Sequence, residues 1–359
     1  MIRNSKFTLE MDSIKKLVRK NILAMTAYAS ARSEFTGVAE VFLDANENPF
    51  DNGLNRYPDP LQKTLKAKIA SEKQVNSEQI FLGNGSDEAI DLLIRIFCEP
   101  GKDEIITLPP TYGMYKVSAA LSDIKIVTIP LTSDFKIETK AVLRQVSERS
   151  KILFICSPNN PTGNDIPLEQ IKDLLNNFEG IVVVDEAYID FSQQDSCTRL
   201  LEKYPRLITL QTFSKAWGLA GIRLGMAFAH PAIIQLLNKV KPPYNINQLT
   251  QSAALKALDN SNEKKANVQS ILQQRDFLTQ AFSSIGFIKN VYPSDANFLL
   301  VKMEEPKAVY SFLLANHVIV RDRSNVTGCA GCLRFTVGTP AENERLIAIL
   351  KKFKTDSPV

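Results

Sequence analysis

The sequence predicts an α/β protein: a large layer in which helices cover both faces of a mixed, mostly parallel sheet, followed by a smaller α+β unit. Three observations lead there. The apolar runs at 152–156 and 181–184 are continuous and rich in β-branched residues, as strands covered on both faces require. Helix-period and strand-length segments alternate from Leu61 to Val240. Beyond Pro242-Pro243 the texture changes to a long polar helical pattern and then short strands.

In chain order, an amphipathic helix is expected over 11–22 and a strand over 38–43, before a turn-rich segment at 44–60. Helices are expected over 61–70, 87–97, 112–121, 168–178 and 232–240, and strands over 104–108, 124–129, 152–156, 181–185, 207–212 and 224–229. The second unit follows as a helical stretch over 248–282, a strand over 298–303, a helix over 307–316, strands over 318–321 and 332–337, and a last helix over 341–353. The expected domains are an N-terminal arm with part of the small domain (1–43), a large domain (44–242) and a small domain (243–359). Residues after Phe353 are expected to fray.

The 43 Lys and Arg and 39 Asp and Glu of this 359-residue chain are interspersed, giving a formal charge of +4 without a basic block. That disfavours nucleic acid and anionic membranes and leaves small molecules as the expected partners. No run approaches the roughly 18 to 20 apolar residues of a membrane helix. Lys15 to Ala31 imitates a secretion signal, but its apolar core, Ile22 to Met25, is too short and lies too far in. Five cysteines do not make a disulfide scaffold, so a reducing cytoplasm is the expected setting. Cys329 and Cys332 spell C-x-x-C ahead of a strand and without a second pair, and His230 and His317 have no acidic cluster nearby. No metal is expected.

The chemistry concentrates in four places. Gly83-Asn84-Gly85-Ser86-Asp87-Glu88 opens an apolar helix, whose free amides suit an anion, although a plain capped turn would read the same way. Asp185 ends a buried strand, where open α/β sheets bind ligands. Lys215 lies among apolar neighbours that ease its deprotonation and fit it to bond a carbonyl carbon, a solvated surface lysine being the alternative. Ser157 to Gly163 is built of turn residues and offers the Asn159 amide as a donor. Together they meet the needs of pyridoxal phosphate: an amine for its aldehyde, a carboxylate for its ring nitrogen, an anion site and donors near its phenolic oxygen.

This constellation resembles the fold type I pyridoxal-phosphate aminotransferases, and among them the histidinol-phosphate branch. The resemblance rests on Tyr28 to Arg32, Asp44 to Pro49, Asn55 to Asp59, Gly83 to Glu88, Pro109 to Tyr115, Ser157 to Gly163, Asp185 to Ile189, Thr212 to Gly225 and Leu333 to Thr339, in that order. It implies that Lys215 holds the cofactor and moves the proton, and that Asp185 pairs with the pyridinium. Tyr188 and Asn159 would donate to the phenolic oxygen, and Tyr112 would stack on the ring. Gly85, Ser86, Ser214 and Arg223 would hold the phosphate, with Tyr57 reaching over from the second subunit of a homodimer; Asp87 and Thr212 complete the cofactor set. Arg334 and Arg321, with Tyr28 at the entrance and Asn159 beside them, would take the phosphate of L-histidinol phosphate and, in the other half-reaction, the carboxylate of glutamate or 2-oxoglutarate. A surface ion pair with Asp322 is the plainer reading of Arg321. A threonine-phosphate decarboxylase, an aromatic-amino-acid aminotransferase and a non-catalytic binder of the same cofactor remain open as alternatives.

Overall fold

The computed structural model describes residues 10–28 and 39–353. A seven-stranded sheet forms from β1 (Ile80–Asn84), β2 (Glu104–Thr107), β3 (Lys125–Thr128), β4 (Ser150–Cys156), β5 (Ile181–Asp185), β6 (Leu207–Thr212) and β7 (Leu224–Ala229). Across the sheet the order is β1-β7-β6-β5-β4-β2-β3. Only β7 runs against its neighbours, β1 and β6, and all other pairings are parallel. Both faces are covered, which is why the strands read as unbroken apolar runs: Val182 and Val184 join one core and Ile181 and Val183 the other. Burying each such side chain stabilises the layer by about 1.5–3 kcal/mol relative to leaving it exposed.

Helices α1 (Lys20–Ala24), α3 (Gly85–Phe97), α4 (Met114–Leu121) and α7 (Pro231–Val240) contribute to one core; α2 (Lys63–Lys73), α5 (Thr139–Gln145), α6 (Leu168–Asn177) and α8 (Gln248–Asp259) contribute to the other. In α6 the buried Ile171, Leu174 and Leu175 recur at helical spacing. The second unit comprises α9 (Ser261–Ser283), α10 (Pro306–Ala315) and α11 (Pro340–Leu350) on a four-stranded sheet of β8 (Ile288–Val291), β9 (Phe298–Met303), β10 (Arg321–Asp322) and β11 (Cys332–Thr336). Its order is β10-β11-β9-β8, all antiparallel. Asp190, in the large layer, accepts from Lys264 on α9 at 2.7 Å and lies 3.7 Å from Lys73 on α2, so it ties the two units together.

Several expectations change. The helix expected over 11–22 breaks into a stretch over 10–15 and α1, and both pack on the large layer through Ile14, Val18 and Ile22 instead of joining the small unit. Residues 39–43 form no strand; Val38, Ala29 to Arg32 and the tail after Phe353 lie outside the described residues. The stretch expected as one helix over 248–282 divides at Asn260, and α8 stays on the large layer through Ala254 and the Lys68–Asp259 ion pair, so the layer extends beyond Pro242. β1, α5 and β8 were not expected at all. Among the described residues no helix is long and apolar enough to cross a membrane, and no group of three or more His, Cys, Asp or Glu is arranged to hold a metal ion. Cys329 and Cys332 are free and fully buried beside Phe135 and Leu300, where burial raises their thiol pKa values to about 12 and about 11.

Candidate active site

The carboxyl ends of β4, β5 and β6 and the turn from β1 into α3 open on one cavity, where α/β sheets receive ligands. It is lined by Gly85, Ser86, Asp87, Tyr112, Asn160, Asp185, Tyr188, Thr212, Ser214, Lys215 and Arg223, together with Cys156, Ala187 and Ala220. Strand register brings these distant residues together. With β7 between β1 and β6, Gly225 stands opposite both Gly83 and Thr212.

Two glycines keep the helix end bare. A Cβ on Gly225 would stand 2.1 Å from the Ser86 amide nitrogen, and one on Gly85 would stand 2.6 Å from Arg223 Nη2. Gly85 also has φ +71°, a conformation that side chains disfavour. Amides in the first turn of α3 have no intrahelical acceptors; beyond Gly85, whose amide is taken by a neighbouring carbonyl, they suit an anion. The Arg223 carbonyl accepts from the Gly85 amide at 2.8 Å, and its guanidinium lies 3.7 Å from Asp87. Thr212 Oγ1 accepts the Ser214 amide at 3.0 Å and donates to the Leu224 carbonyl at 3.2 Å, fixing the turn that carries Ser214 and Lys215.

Asp185 is 3% exposed and accepts from the Tyr115 hydroxyl at 2.7 Å and the Ala187 amide at 3.2 Å. Burial pushes its pKa up to about 6, against the lowering effect of those two hydrogen bonds and of Lys215. Lys215 is half-buried, with Nζ 5.5 Å from the centre of the Tyr188 ring. Burial foremost, then the Arg334 charge, hold its pKa below the usual lysine value, while Asp185 acts the other way.

The neighbouring loop departs from the expectation. Asn159 is 2% exposed and its amide donates to the Pro110 carbonyl at 2.8 Å and Thr162 Oγ1 at 2.7 Å, so it is spent inside the loop. Asn160 lines the cavity instead, donating to the Tyr188 hydroxyl at 3.4 Å and accepting from Arg334. Tyr112 lines the cavity with its hydroxyl 3.0 Å from Asp87, to which it donates. Arg334 is not in the cavity lining; its guanidinium reaches the rim through Asn160 and lies 5.1 Å from the centre of the Phe298 ring. Arg321 is exposed and stands directly opposite Arg334 in the β10–β11 pairing. Tyr28 is 75% exposed and apart from the cavity. Tyr57, half exposed, stacks on Tyr244 and lines a separate surface cavity with Asn46, Asn247 and Leu249.

An amine of lowered basicity, a buried carboxylate without an ion-pair partner among the described residues and a bare helix end therefore share one space. These donors fit pyridoxal phosphate: a carboxylate kept from water needs a cation, which a pyridinium provides, and the glycine cradle leaves room only for atoms without a Cβ in the way.

Comparison with known proteins agrees with this reading. Residues 23–350 match the family model described as aminotransferase class I and II. Over 95% of its length the chain is 52% identical to a histidinol-phosphate aminotransferase of Cytophaga hutchinsonii, covering 99% of that protein. It is also 52% identical to one from Parabacteroides distasonis, over 96% of this chain and all of that one. Among solved structures, the histidinol-phosphate aminotransferase from Clostridium acetobutylicum matches with a TM-score of 0.77 at 25% identity, over 83% of this chain and 90% of that one. The chain belongs to the class I and II aminotransferases and, within them, to the histidinol-phosphate aminotransferases.

Proposed function

We propose that the protein exchanges the amino group between L-histidinol phosphate and 2-oxoglutarate, reversibly forming imidazole acetol phosphate and L-glutamate in L-histidine biosynthesis. The observation that carries this reading is the pair Arg334 and Arg321, directly opposite each other across β10 and β11, with Arg334 bonded to Asn160 of the Lys215–Asp185 cavity and no carboxylate ion-paired with either among the described residues. Paired guanidinium groups call for an anion on the substrate, and both amino donors bring one.

Pyridoxal phosphate is the cofactor, and when bound it withdraws electrons from the substrate carbon that loses a proton. The remaining work belongs to side chains. The Ser86 amide, with Ser214 and Arg223, would hold the phosphate, the Gly85 amide being taken by the Arg223 carbonyl, and Thr212 keeps Ser214 in place. Asp185, ionised above about pH 6, holds the ring nitrogen protonated. Tyr188 and Asn160 supply donors on the opposite edge, the role expected of Asn159 passing to its neighbour. Tyr112 flanks the ring, positioned by Asp87. Lys215 would hold the cofactor and act as base and then acid for the proton on the substrate carbon; its lowered pKa enlarges its neutral, basic fraction.

The chain works as a homodimer in this reading. Tyr57 is absent from the lining of its own chain's cavity and shares a surface cavity with the exposed Leu54 and Leu249, an apolar surface of the kind that a second copy covers. There Tyr57 would complete the partner's phosphate site.

An absorbance spectrum of the purified protein, recorded with L-histidinol phosphate and no keto acid, tests the function. Conversion of the lysine-bound cofactor to its amine form, reversed by 2-oxoglutarate, is the expected outcome. A spectrum unmoved by histidinol phosphate would transfer the substrate to phosphothreonine or an aromatic amino acid.

A further inference from the structure

Arg334 and Arg321 are not alone on their face of the second sheet. The Arg323 amide donates to the Cys332 carbonyl at 3.0 Å, continuing the pairing that sets Arg321 opposite Arg334. Side chains alternate along a strand, so Arg321, Arg323 and Arg334 share one face, while Leu333 and Phe335 enter the apolar core behind it. The Nε atoms of Arg323 and Arg334 are both sealed from water without a hydrogen-bond partner. Burial and the charges of Arg334 and Arg321 hold the Arg323 pKa below its usual value. Like charges side by side destabilise a strand pair, and among the described residues no carboxylate forms an ion pair with any of the three.

Arg323 opens on a side chamber with Thr111, Lys116 and Asn325, and this chamber shares Tyr112 and Asn160 with the cofactor cavity. We propose that Arg323 is a specificity-determining residue: with Arg321 and Arg334 it holds the phosphate dianion of the amine substrate at the mouth of this chamber. A carboxylate carries one charge and two oxygens, enough for one guanidinium fork. A phosphate carries close to two charges and three free oxygens, enough to engage a third cation. Arg323 thereby favours phosphorylated amines over amino acids of similar size. The assignment rests on the function proposed above, since it gives that substrate's phosphate a third contact.

The test uses the holoenzyme, whose cofactor phosphate already fills the glycine cradle. In Arg323→Gln, the ratio of kcat/KM for L-histidinol phosphate to kcat/KM for glutamate should fall by about 10- to 100-fold, mainly through KM. Binding of inorganic phosphate, followed by calorimetry, should weaken by a similar factor. Arg323→Lys, which keeps the charge but not the fork, should fall between the variant and the parent. An unchanged ratio, or equal losses in both half-reactions, would overturn the assignment, as would phosphate binding indifferent to Arg323. If the parent ignores histidinol phosphate yet binds inorganic phosphate through Arg323, the substrate reading fails while Arg323 stands as an anion-selecting residue.

Discussion

In the function proposed above, one end of the active site offers an anion the Ser86 amide in its glycine cradle, and the other offers guanidinium groups carried on β10 and β11. The first end is rigid. Its donors are fixed by strand register and by two glycines that admit no side chain, and their partial charges suit a ligand that stays. The second end is made of full charges on flexible stems, able to serve anions of different shape in alternate half-reactions. On that reading the permanent ligand is met by the backbone as well as by Ser214 and Arg223, and the exchanged ligand by guanidinium groups alone.

The largest expected effect removes the chemistry joining the two ends. Lys215→Ala should abolish amino-group exchange while leaving both anion sites built, and turnover near the parent level would sink the assignment. Next is Gly225→Ala, whose added carbon meets the Ser86 nitrogen at 2.1 Å; cofactor affinity, titrated on the apoenzyme, should drop by at least about 100-fold. Arg334→Gln attacks the other end and should cost about 10- to 100-fold in kcat/KM for both half-reactions, with cofactor affinity nearly unaffected. Comparable losses of cofactor affinity in these two variants would erase the distinction.

Asp185→Asn sharpens the comparison by separating stability from function. The folded pKa of about 6 exceeds the ordinary 3.8, so the folded apoenzyme binds its proton more tightly than the unfolded chain does. Burying the charge thus costs stability fully above about pH 6, and this cost fades as pH falls toward 4. The asparagine variant should therefore be more stable as apoprotein at pH 8, by roughly 2–3 kcal/mol, with the gap closing by pH 4 and amino-group exchange largely lost. Denaturant titration at the two pH values decides this. The smallest change is Tyr112→Phe, which gives up one hydrogen bond to Asp87 and should weaken cofactor binding only about two- to fivefold.

Much of this was legible in the sequence because it depends on local pattern. Continuous β-branched runs mark strands buried on both sides, Asp185 ends one of them, and Lys215 lies three residues past the buried strand β6. What escaped depends on tertiary neighbours. Asn159 and Asn160 are adjacent and chemically alike, and only the positions of Pro110 and Thr162 decide which amide is consumed in the loop. Arg323 did carry a signal, the two-residue spacing from Arg321, but the expected strand ended one residue short of Asp322 and hid it. β1 is short and ends in Gly-Asn, so its apolar residues merged with the turn that follows. The N-terminal helix was legible, but the layer it covers was not, because Ile14 and Ile22 would suit either core.

The place of β7 has a consequence for synthesis. It is the last strand of its sheet to leave the ribosome, yet it lies between β1, made about 140 residues earlier, and β6. A nascent chain that ends before Leu224 therefore has a gap in the sheet, with β1 cut off from its neighbour and the glycine cradle open on one side. Such long-range strand insertion is slow to form. The cradle formed by Gly85, Ser86 and Gly225 is thereby complete only once β7 has been inserted.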